Sequence, residues 1–172
     1  MSKVSSSLWI IGHPQFGEAV GAQAIANHLA KREQVEFRVI SELNWDRAEE
    51  QSRWMQADHI VFHFPLFWYG MPGILKTYLD DMLQPGWAFG EGGHALQYKT
   101  LSASVTTGAT LSSYAPGGRN DYDLSQFMLP LQQTARFTGM HWRGVTATGS
   151  VPWAVAETRW PEHIQEVFER LL

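Results

Sequence analysis

Apolar and β-branched residues of this chain fall into two alternating patterns. A continuous apolar run predicts a strand at residues 8–12, a run of β-branched and aromatic residues predicts one at 59–64, and an apolar–polar alternation predicts one at 35–40. Further strands are expected at 99–106 and 142–149. Between these runs, apolar residues recur at helical spacing and predict helices at residues 19–31, 45–57, 74–83, 121 or 123 to 137, and 161–172. The pattern therefore predicts five β–α units in succession.

Such alternation predicts an α/β fold with a parallel sheet, right-handed crossovers and helices on both faces. Five strands fit a flavodoxin-like three-layer sandwich with a five-stranded parallel sheet of order 2-1-3-4-5. No internal repeat or linker interrupts the pattern, so we expect a single domain over residues 1–172. The loops that follow the first, third and fourth strands are expected to meet at the switch point between the first and third strands.

Two helices carry more specific expectations. The first should bury one face made of Val20, Ala24, Ile25, His28 and Leu29. Asn44 is a good N-cap for the second helix, and Gly139 is a good C-terminal residue for the helix that ends at Phe137.

The stretch from His59 to Asp81 is the centre of the predicted site. Its strand reaches Pro65, an apolar and aromatic connection runs from Leu66 to Gly70, and Pro72 fits the first turn of the next helix. An aromatic loop at the carboxyl end of a buried strand is where open α/β sheets bind planar ligands. Taken alone, an aromatic cluster of this kind is also typical of core packing or of a dimer face.

Composition removes several classes of function. A formal net charge of −4 gives no electrostatic case for nucleic acid, and the absence of cysteine excludes a disulfide framework and a thiolate nucleophile. Only four consecutive apolar residues, 8–11, stand near the start, too few for a signal peptide or a membrane span, so we expect a cytoplasmic protein. His59 and His63 lie in a strand without a third ligand nearby, so no metal site is expected.

Familiar nucleotide and hydrolase motifs are missing. The sequence contains no G-x-G-x-x-G after its first strand, no Walker A loop and no G-x-S-x-G elbow. What remains is the aromatic loop beside a Thr-Thr-Gly-Ala loop, at residues 106–109, whose backbone N–H groups could meet a ligand. That combination suits a flat ring with an apolar body and a polar edge, such as an isoalloxazine.

Three linked segments then carry a family resemblance: FPLFWYGMPGILKTYLDDML, GWAFGEGGHAL and TTGATLSSYAPGGRNDY. With His13-Pro14 they make the chain similar to the NAD(P)H:quinone oxidoreductases, and most similar to short members that include ancillary subunits of glutathione-regulated potassium efflux systems. The resemblance implies FMN or FAD as cofactor, NAD(P)H and a quinone as small-molecule substrates, and a homodimer. It also allows a membrane potassium efflux transporter as partner, with a peripheral position at the inner face of the membrane.

The resemblance also implies roles for particular residues. One set would lie against the flavin ring, mostly through main-chain contacts: Pro65, Leu66, Phe67, Trp68 and Tyr69. A second set would offer backbone N–H groups to the polar edge of the ring: Thr106, Thr107, Gly108 and Ala109. The catalytic positions would be Tyr114 and Asn120, where Asn120 replaces a histidine of related reductases and cannot titrate. Trp87 and Phe89 resemble an aromatic loop that closes the partner's active site.

The first loop departs from the family pattern. His13 is retained, but the serine and asparagine that serve the cofactor phosphate in the family are Ala19 and Ala22 here. Glu18 adds a negative charge where an anion should sit, at the N-terminus of the first helix. Two functions therefore stay open: a flavin-dependent NAD(P)H:quinone oxidoreductase, or a regulatory subunit of a potassium efflux transporter with weak or lost flavin binding.

Overall fold

A computed structural model describes residues 6–151 and 159–171. Five parallel strands form one sheet in the order β2-β1-β3-β4-β5, which confirms the predicted flavodoxin-like topology. The strands are β1 (Ser7–Gly12), β2 (Val35–Ile40), β3 (His59–Pro65), β4 (Thr100–Thr106) and β5 (His141–Thr148). Each predicted strand is present, with ends that differ from the prediction by one residue or less.

Helices cover both faces of this sheet. They are α1 (Val20–Leu29), α2 (Arg47–Gln56), α3 (Gly73–Met82), α4 (Leu124–Phe127), α5 (Leu129–Phe137) and α6 (Arg159–Leu171). Core residues from α2, α3 and α5 pack on one face around Phe62, and those from α1 and α6 pack on the other around Trp9. Among the described residues, no helix is long and apolar enough to cross a membrane.

The buried face of α1 differs from the predicted one. Ile25 and Leu29 are buried as predicted, but the rest of the buried face consists of the small residues Gly21, Ala22 and Ala26 instead of Val20, Ala24 and His28. Val20 is 46% exposed because it stands at the first position of the helix, at the edge of a cavity rather than over the sheet. Ala22 and Ala26 bring the helix close to the large side chains of Trp9 and Ile11.

Two predicted helix limits are also corrected. Asp46, not Asn44, caps α2, because its carboxylate accepts a hydrogen bond from the Glu49 N–H at 2.9 Å. The single helix predicted to end at Phe137 is divided into α4 and α5 at Met128. Pro130 falls in the first turn of α5, where its missing N–H leaves no carbonyl unpaired. Gly139 follows α5 with a φ of +79°, as expected of a helix C-terminus.

A buried polar cluster fixes α2 against α3 on one face of the sheet. The indole N–H of Trp54 donates to the Tyr78 hydroxyl at 3.0 Å, and that hydroxyl donates to the Glu50 carboxylate at 2.9 Å. Glu50 also accepts a hydrogen bond from Arg38 of β2 at 2.7 Å. Because each buried polar atom of this cluster has a partner, it links three elements without leaving a charge unpaired.

Candidate functional site

The loops after β1, β3 and β4 meet around one cavity, as predicted. It has a volume of about 440 Å³ and lies at the carboxyl ends of these strands, at the switch point of the sheet. We call it the switch-point cavity. Its lining residues are His13, Gln15, Glu18, Ala19, Val20, Gly21, Ala22, Pro65, Leu66, Phe67, Thr106, Thr107, Gly108 and Val151.

One wall of the switch-point cavity is apolar. Pro65, Leu66 and Phe67 continue from β3, and the Leu66 N–H donates to the Thr106 carbonyl oxygen at 2.8 Å. This bond extends the strand pairing past the end of the sheet, so the wall keeps a fixed position relative to the loop after β4. The Phe67 ring also meets His13 edge to face, with ring centres 5.8 Å apart.

The wall ends in a strained turn at Trp68 and Tyr69. Both have positive φ, +47° and +66°, while Phe67 and Gly70 exchange N–H to carbonyl hydrogen bonds at 2.9 and 3.0 Å. A two-residue turn with both central residues left-handed normally carries Asn-Gly or similar residues. Trp68 is 94% exposed, and of the five residues predicted to lie against the ring, only Pro65, Leu66 and Phe67 line the cavity.

The loop after β4 supplies the polar edge of the cavity. Its predicted set of donors is reduced, because the Thr107 N–H donates to the Thr148 carbonyl oxygen at 3.0 Å. The Thr107 hydroxyl donates to the carbonyl oxygen of Ala109 at 2.8 Å and so holds the loop closed. The N–H groups of Gly108 and Ala109 have no acceptor among the described residues, and Gly108 lines the cavity while Ala109 does not.

The N-terminus of α1 presents further donors to the same cavity. The side-chain amide of Gln23 donates to the carbonyl oxygens of Phe16 and Gly17, at 2.9 and 2.6 Å. Within the described chain, the N–H groups of residues 20–22 have no acceptor, and these residues line the cavity. Unpaired amides at a helix N-terminus favour an anion such as a phosphate.

His13 adds a neutral donor to this end of the cavity. Its Nδ1 accepts a hydrogen bond from the Gln15 N–H at 3.1 Å, so in the neutral ring the proton lies on Nε2. Burial lowers the pKa of His13, which keeps the ring neutral at pH 7. The exposed carboxylate of Glu18 lines the cavity too, and no lysine or arginine does so among the described residues. A phosphate bound there would meet hydrogen-bond donors but no cation.

Tyr114 and Asn120 do not line the cavity, but Tyr114 interacts with Thr107, which does, and Asn120 contacts Tyr69; we call this neighbouring region the rim. Burial raises the pKa of the Tyr114 hydroxyl, and an interaction with the Thr107 side chain partly offsets that effect. The Tyr114 ring stands edge-on to Phe127, with ring centres 6.0 Å apart, and Tyr69 stacks on the same ring at 5.1 Å. Tyr114 and Tyr69 of the strained turn therefore belong to one aromatic cluster around Phe127.

A residue that the sequence did not single out, Ser113, holds Asn120 in place. The Asn120 backbone N–H donates to the Ser113 carbonyl oxygen at 3.0 Å, and its side-chain amide donates to the Ser113 hydroxyl oxygen at 2.9 Å. The Tyr69 hydroxyl lies 3.4 Å from Asn120 Oδ1. The only available signal in the sequence was that Ser113 adjoins Tyr114.

Both aromatic residues of the glycine-rich loop after α3 pack partly against their own chain. Trp87 packs against Trp54 of its own chain, with ring centres 6.2 Å apart, and its indole N–H is buried. The Trp87 side chain as a whole is only partly buried. Phe89 is half-buried and contacts Phe137 on α5, with ring centres 5.4 Å apart.

Histidines lie directly beneath the floor of the switch-point cavity. Pro65 and Thr106 line it, and the residues two positions earlier on the same strands and the same face are His63 and Ser104. Nδ1 of His63 is 2.8 Å from Ser104 Oγ, while its Nε2 is buried and has no hydrogen-bond partner in the part of the chain that the structure describes. No group of three potential metal-binding side chains forms among residues 6–151 and 159–171.

A second histidine continues this buried layer into α6. His163 Nε2 is 2.6 Å from Ser104 Oγ, and its Nδ1 is 2.9 Å from Thr148 Oγ1. Burial lowers the pKa of His63 to about 3 and that of His163 to about 4. The layer is thus neutral at pH 7 and ties β3, β4, β5 and α6 together under the site.

The fold and the cavity at its switch point define a flavodoxin-like protein. A family model described as "Flavodoxin-like fold" matches residues 5–171, and the chain belongs to that family. The chain is 36% identical over 166 residues to general stress protein 14 of Bacillus subtilis, with 91% of this chain and 95% of the relative covered.

Two further relatives match over a shorter region. Uncharacterized NAD(P)H oxidoreductase YrkL of Bacillus subtilis is 40% identical over 95 residues, or 55% of each chain. The potassium-efflux ancillary protein KefF of Citrobacter koseri is 40% identical over 107 residues, which is 62% of this chain and 59% of KefF. Among solved structures, general stress protein 14 of Treponema denticola in complex with FMN has a TM-score of 0.84 at 23% identity, covering 96% of this chain and 97% of that one.

Proposed function

We propose that this protein is an FMN-dependent NAD(P)H:quinone oxidoreductase. The observation that carries the proposal is that an apolar wall, two sets of unpaired backbone N–H groups and the neutral His13 meet in one cavity of about 440 Å³. These features fit a flavin: a flat apolar body, a polar edge and a phosphate. One relative is named as an NAD(P)H oxidoreductase, and one similar solved structure is a complex with FMN. Both support the same assignment.

Each part of the cavity would have a separate task. Pro65, Leu66 and Phe67 would cover the ring and exclude water, and the N–H of Gly108 would stabilise negative charge at the polar edge of the ring. The α1 N-terminus and His13 Nε2 would hold the phosphate. The chemistry that FMN supplies when bound is two-electron transfer, so that NAD(P)H, one proton and a quinone become NAD(P)⁺ and a hydroquinone.

Tyr114 is the rim residue suited to hold a proton. Its raised pKa keeps the hydroxyl protonated at pH 7, so it would donate a hydrogen bond to an oxygen that gains charge at the rim. Asn120 holds no exchangeable charge at any ordinary pH, so it would position ligands rather than transfer protons.

A spectrum and one helix substitution test the proposal. Purified protein, with added FMN if needed, should show flavin absorption that NADPH bleaches and a quinone restores. Val20→Pro should weaken FMN binding about tenfold, because it removes one N–H at a helix position that tolerates proline. Val20→Ala, which keeps the N–H, is the matched control. A protein that stays colourless in excess FMN, or equal binding by both variants, would contradict the assignment.

A second candidate is a regulatory subunit of a membrane potassium efflux transporter. It is favoured by the KefF relative and by Ala19, Ala22 and Glu18, which leave the phosphate end of the cavity without a side-chain hydroxyl, amide or cation from those positions. In this case the protein would bind FMN weakly and sit peripherally on membranes that contain the transporter. Sedimentation with such vesicles, compared with transporter-free vesicles, tests this role independently of colour.

We also propose a homodimer, as the resemblance implies. On α5, Leu129 and Phe137 are 55% and 66% exposed, and Phe137 contacts the half-buried Phe89. This apolar face is suited to a second copy of the chain. Sedimentation velocity should show a dimer for the natural protein and a monomer for Phe137→Glu, while Gln165→Glu, on α6 at the other face of the sheet, serves as a control for added charge.

A further inference from the structure

Hydrogen bonds fix which way the side-chain amide of Asn120 faces. The Ser113 hydroxyl donates its only proton to the Thr110 carbonyl oxygen at 2.7 Å, so Ser113 Oγ can only accept from Asn120. The Asn120 atom 2.9 Å from Ser113 Oγ must therefore be Nδ2, and Oδ1 must face the other way. The orientation follows from the proton count and not from the assignment of the two amide atoms.

The atom that Asn120 presents at the rim is consequently an acceptor. Its Oδ1 receives one hydrogen bond from the Tyr69 hydroxyl, at 3.4 Å, which is long for a bond between oxygens. A carbonyl oxygen has two acceptor positions, so one position stays available and the other is only weakly occupied. Tyr69 belongs to the turn after β3 and Asn120 to the loop after β4, so this oxygen lies between the two loops that bound the switch-point cavity.

We propose that Asn120, positioned by Ser113, makes the site select electron acceptors that carry an N–H or O–H donor beside the ring carbonyl. A plain quinone offers only acceptor oxygens, which meet the Tyr114 hydroxyl but not Asn120 Oδ1. An amino-substituted quinone can satisfy both groups, with its carbonyl oxygen at Tyr114 and its N–H at Asn120. This inference rests on the proposed oxidoreductase function and adds the substrate class.

The experiment compares a naphthoquinone that carries a methylamino group with its dimethylamino analogue, which lacks the N–H. The kcat/KM ratio of the two compounds should favour the N–H compound in the natural protein. Asn120→Leu should lower the ratio about three- to tenfold, the range expected when one neutral hydrogen bond is lost. Ser113→Ala should lower it as well, because the amide of Asn120 is then free to turn over. Ser112→Ala, which removes a neighbouring hydroxyl not bonded to Asn120, should leave the ratio unchanged.

Several results would overturn the inference. One is a ratio near one in the natural protein, and another is a ratio that neither Asn120→Leu nor Ser113→Ala alters. If Asn120→Leu raises only the KM for NADPH, Oδ1 recognises the nicotinamide carboxamide instead of the acceptor, and the proposal is wrong. If neither quinone is reduced, the oxidoreductase function itself has failed. The two compounds are then compared by quenching of tryptophan fluorescence without NADPH, where equal binding constants contradict the inference.

Discussion

Acid should destabilise this protein through the two histidines beneath the site. A buried histidine whose pKa is below the unfolded value of 6.5 binds fewer protons in the folded state than in the unfolded state. Its contribution to stability is therefore complete above pH 6.5, and is lost as the pH falls from 6.5 towards the folded pKa. For His63 and His163 this range extends down to about 3 and about 4.

The expected loss is large for a domain of this size. For His163 the fall from 6.5 to about 4 corresponds to about 3 kcal/mol, at about 1.4 kcal/mol for each pKa unit. The contribution of His63 is not added in full, because part of its lowered pKa comes from repulsion by a charged His163. A loss of about 3 kcal/mol or more at pH 4 is a substantial part of the stability of a typical domain.

Urea unfolding between pH 7 and pH 4, followed by tryptophan fluorescence, measures this loss. The double variant His63→Gln, His163→Gln keeps hydrogen-bonding groups near Ser104 but removes both titrations. We expect the natural protein to lose about 3 kcal/mol more than the double variant over this range. His141→Gln, which replaces an exposed histidine of β5 by the same residue type, is the matched control substitution. Parallel pH curves for the natural protein and the double variant would refute the argument.

Three other substitutions have expected results of their own. Glu18→Gln should tighten FMN binding about threefold in a spectroscopic titration, since it removes a solvent-screened negative charge beside the phosphate position. Trp68→Asn should raise the free energy of unfolding by about 1 kcal/mol, because asparagine tolerates the positive φ of this exposed residue; a decrease would contradict the strain. Tyr78→Phe should lower it by about 1–3 kcal/mol, because two buried partners of the hydroxyl lose a hydrogen bond, and an unchanged urea midpoint would contradict this.

The sequence predicted the fold well because strand signals are local. Apolar, β-branched and aromatic runs mark β1 and β3, an apolar–polar alternation marks β2, and the parallel order follows from the alternation with helices. Helix details were less predictable. Asn44 and Asp46 are both good caps, and only the structure shows which carboxylate or amide reaches an N–H of the first turn. Part of the buried face of α1 was wrongly predicted because Val20 is apolar yet exposed, whereas Gly21 and Ala22 are small yet buried.

The location of the site could be predicted from the sequence, but its hydrogen bonds could not. Carboxyl ends of parallel strands share an edge, so the three loops had to meet. Which amides remain unpaired depends on contacts that the local sequence does not specify. The Thr107 N–H donates to the Thr148 carbonyl oxygen, and the side-chain amide of Gln23 occupies the carbonyl oxygens of Phe16 and Gly17 that precede α1. Neither bond has a signal in the local sequence. The same holds for Ser113, whose role depends on a loop that folds back to bring Asn120 to it.

The turn at Trp68 and Tyr69 shows how these long-range contacts act together. Left-handed backbone costs about 1–2 kcal/mol for each such residue, and a turn carrying Asn-Gly would avoid much of that cost. The strain is offset by the paired bonds of Phe67 and Gly70, by stacking of Tyr69 on Phe127 and by its hydroxyl near Asn120. Two of these three stabilising contacts reach the rim of the site. The conformation of the turn and the orientation of the rim residues are therefore linked, and a substitution that frees Asn120 should also loosen the turn that ends the apolar wall.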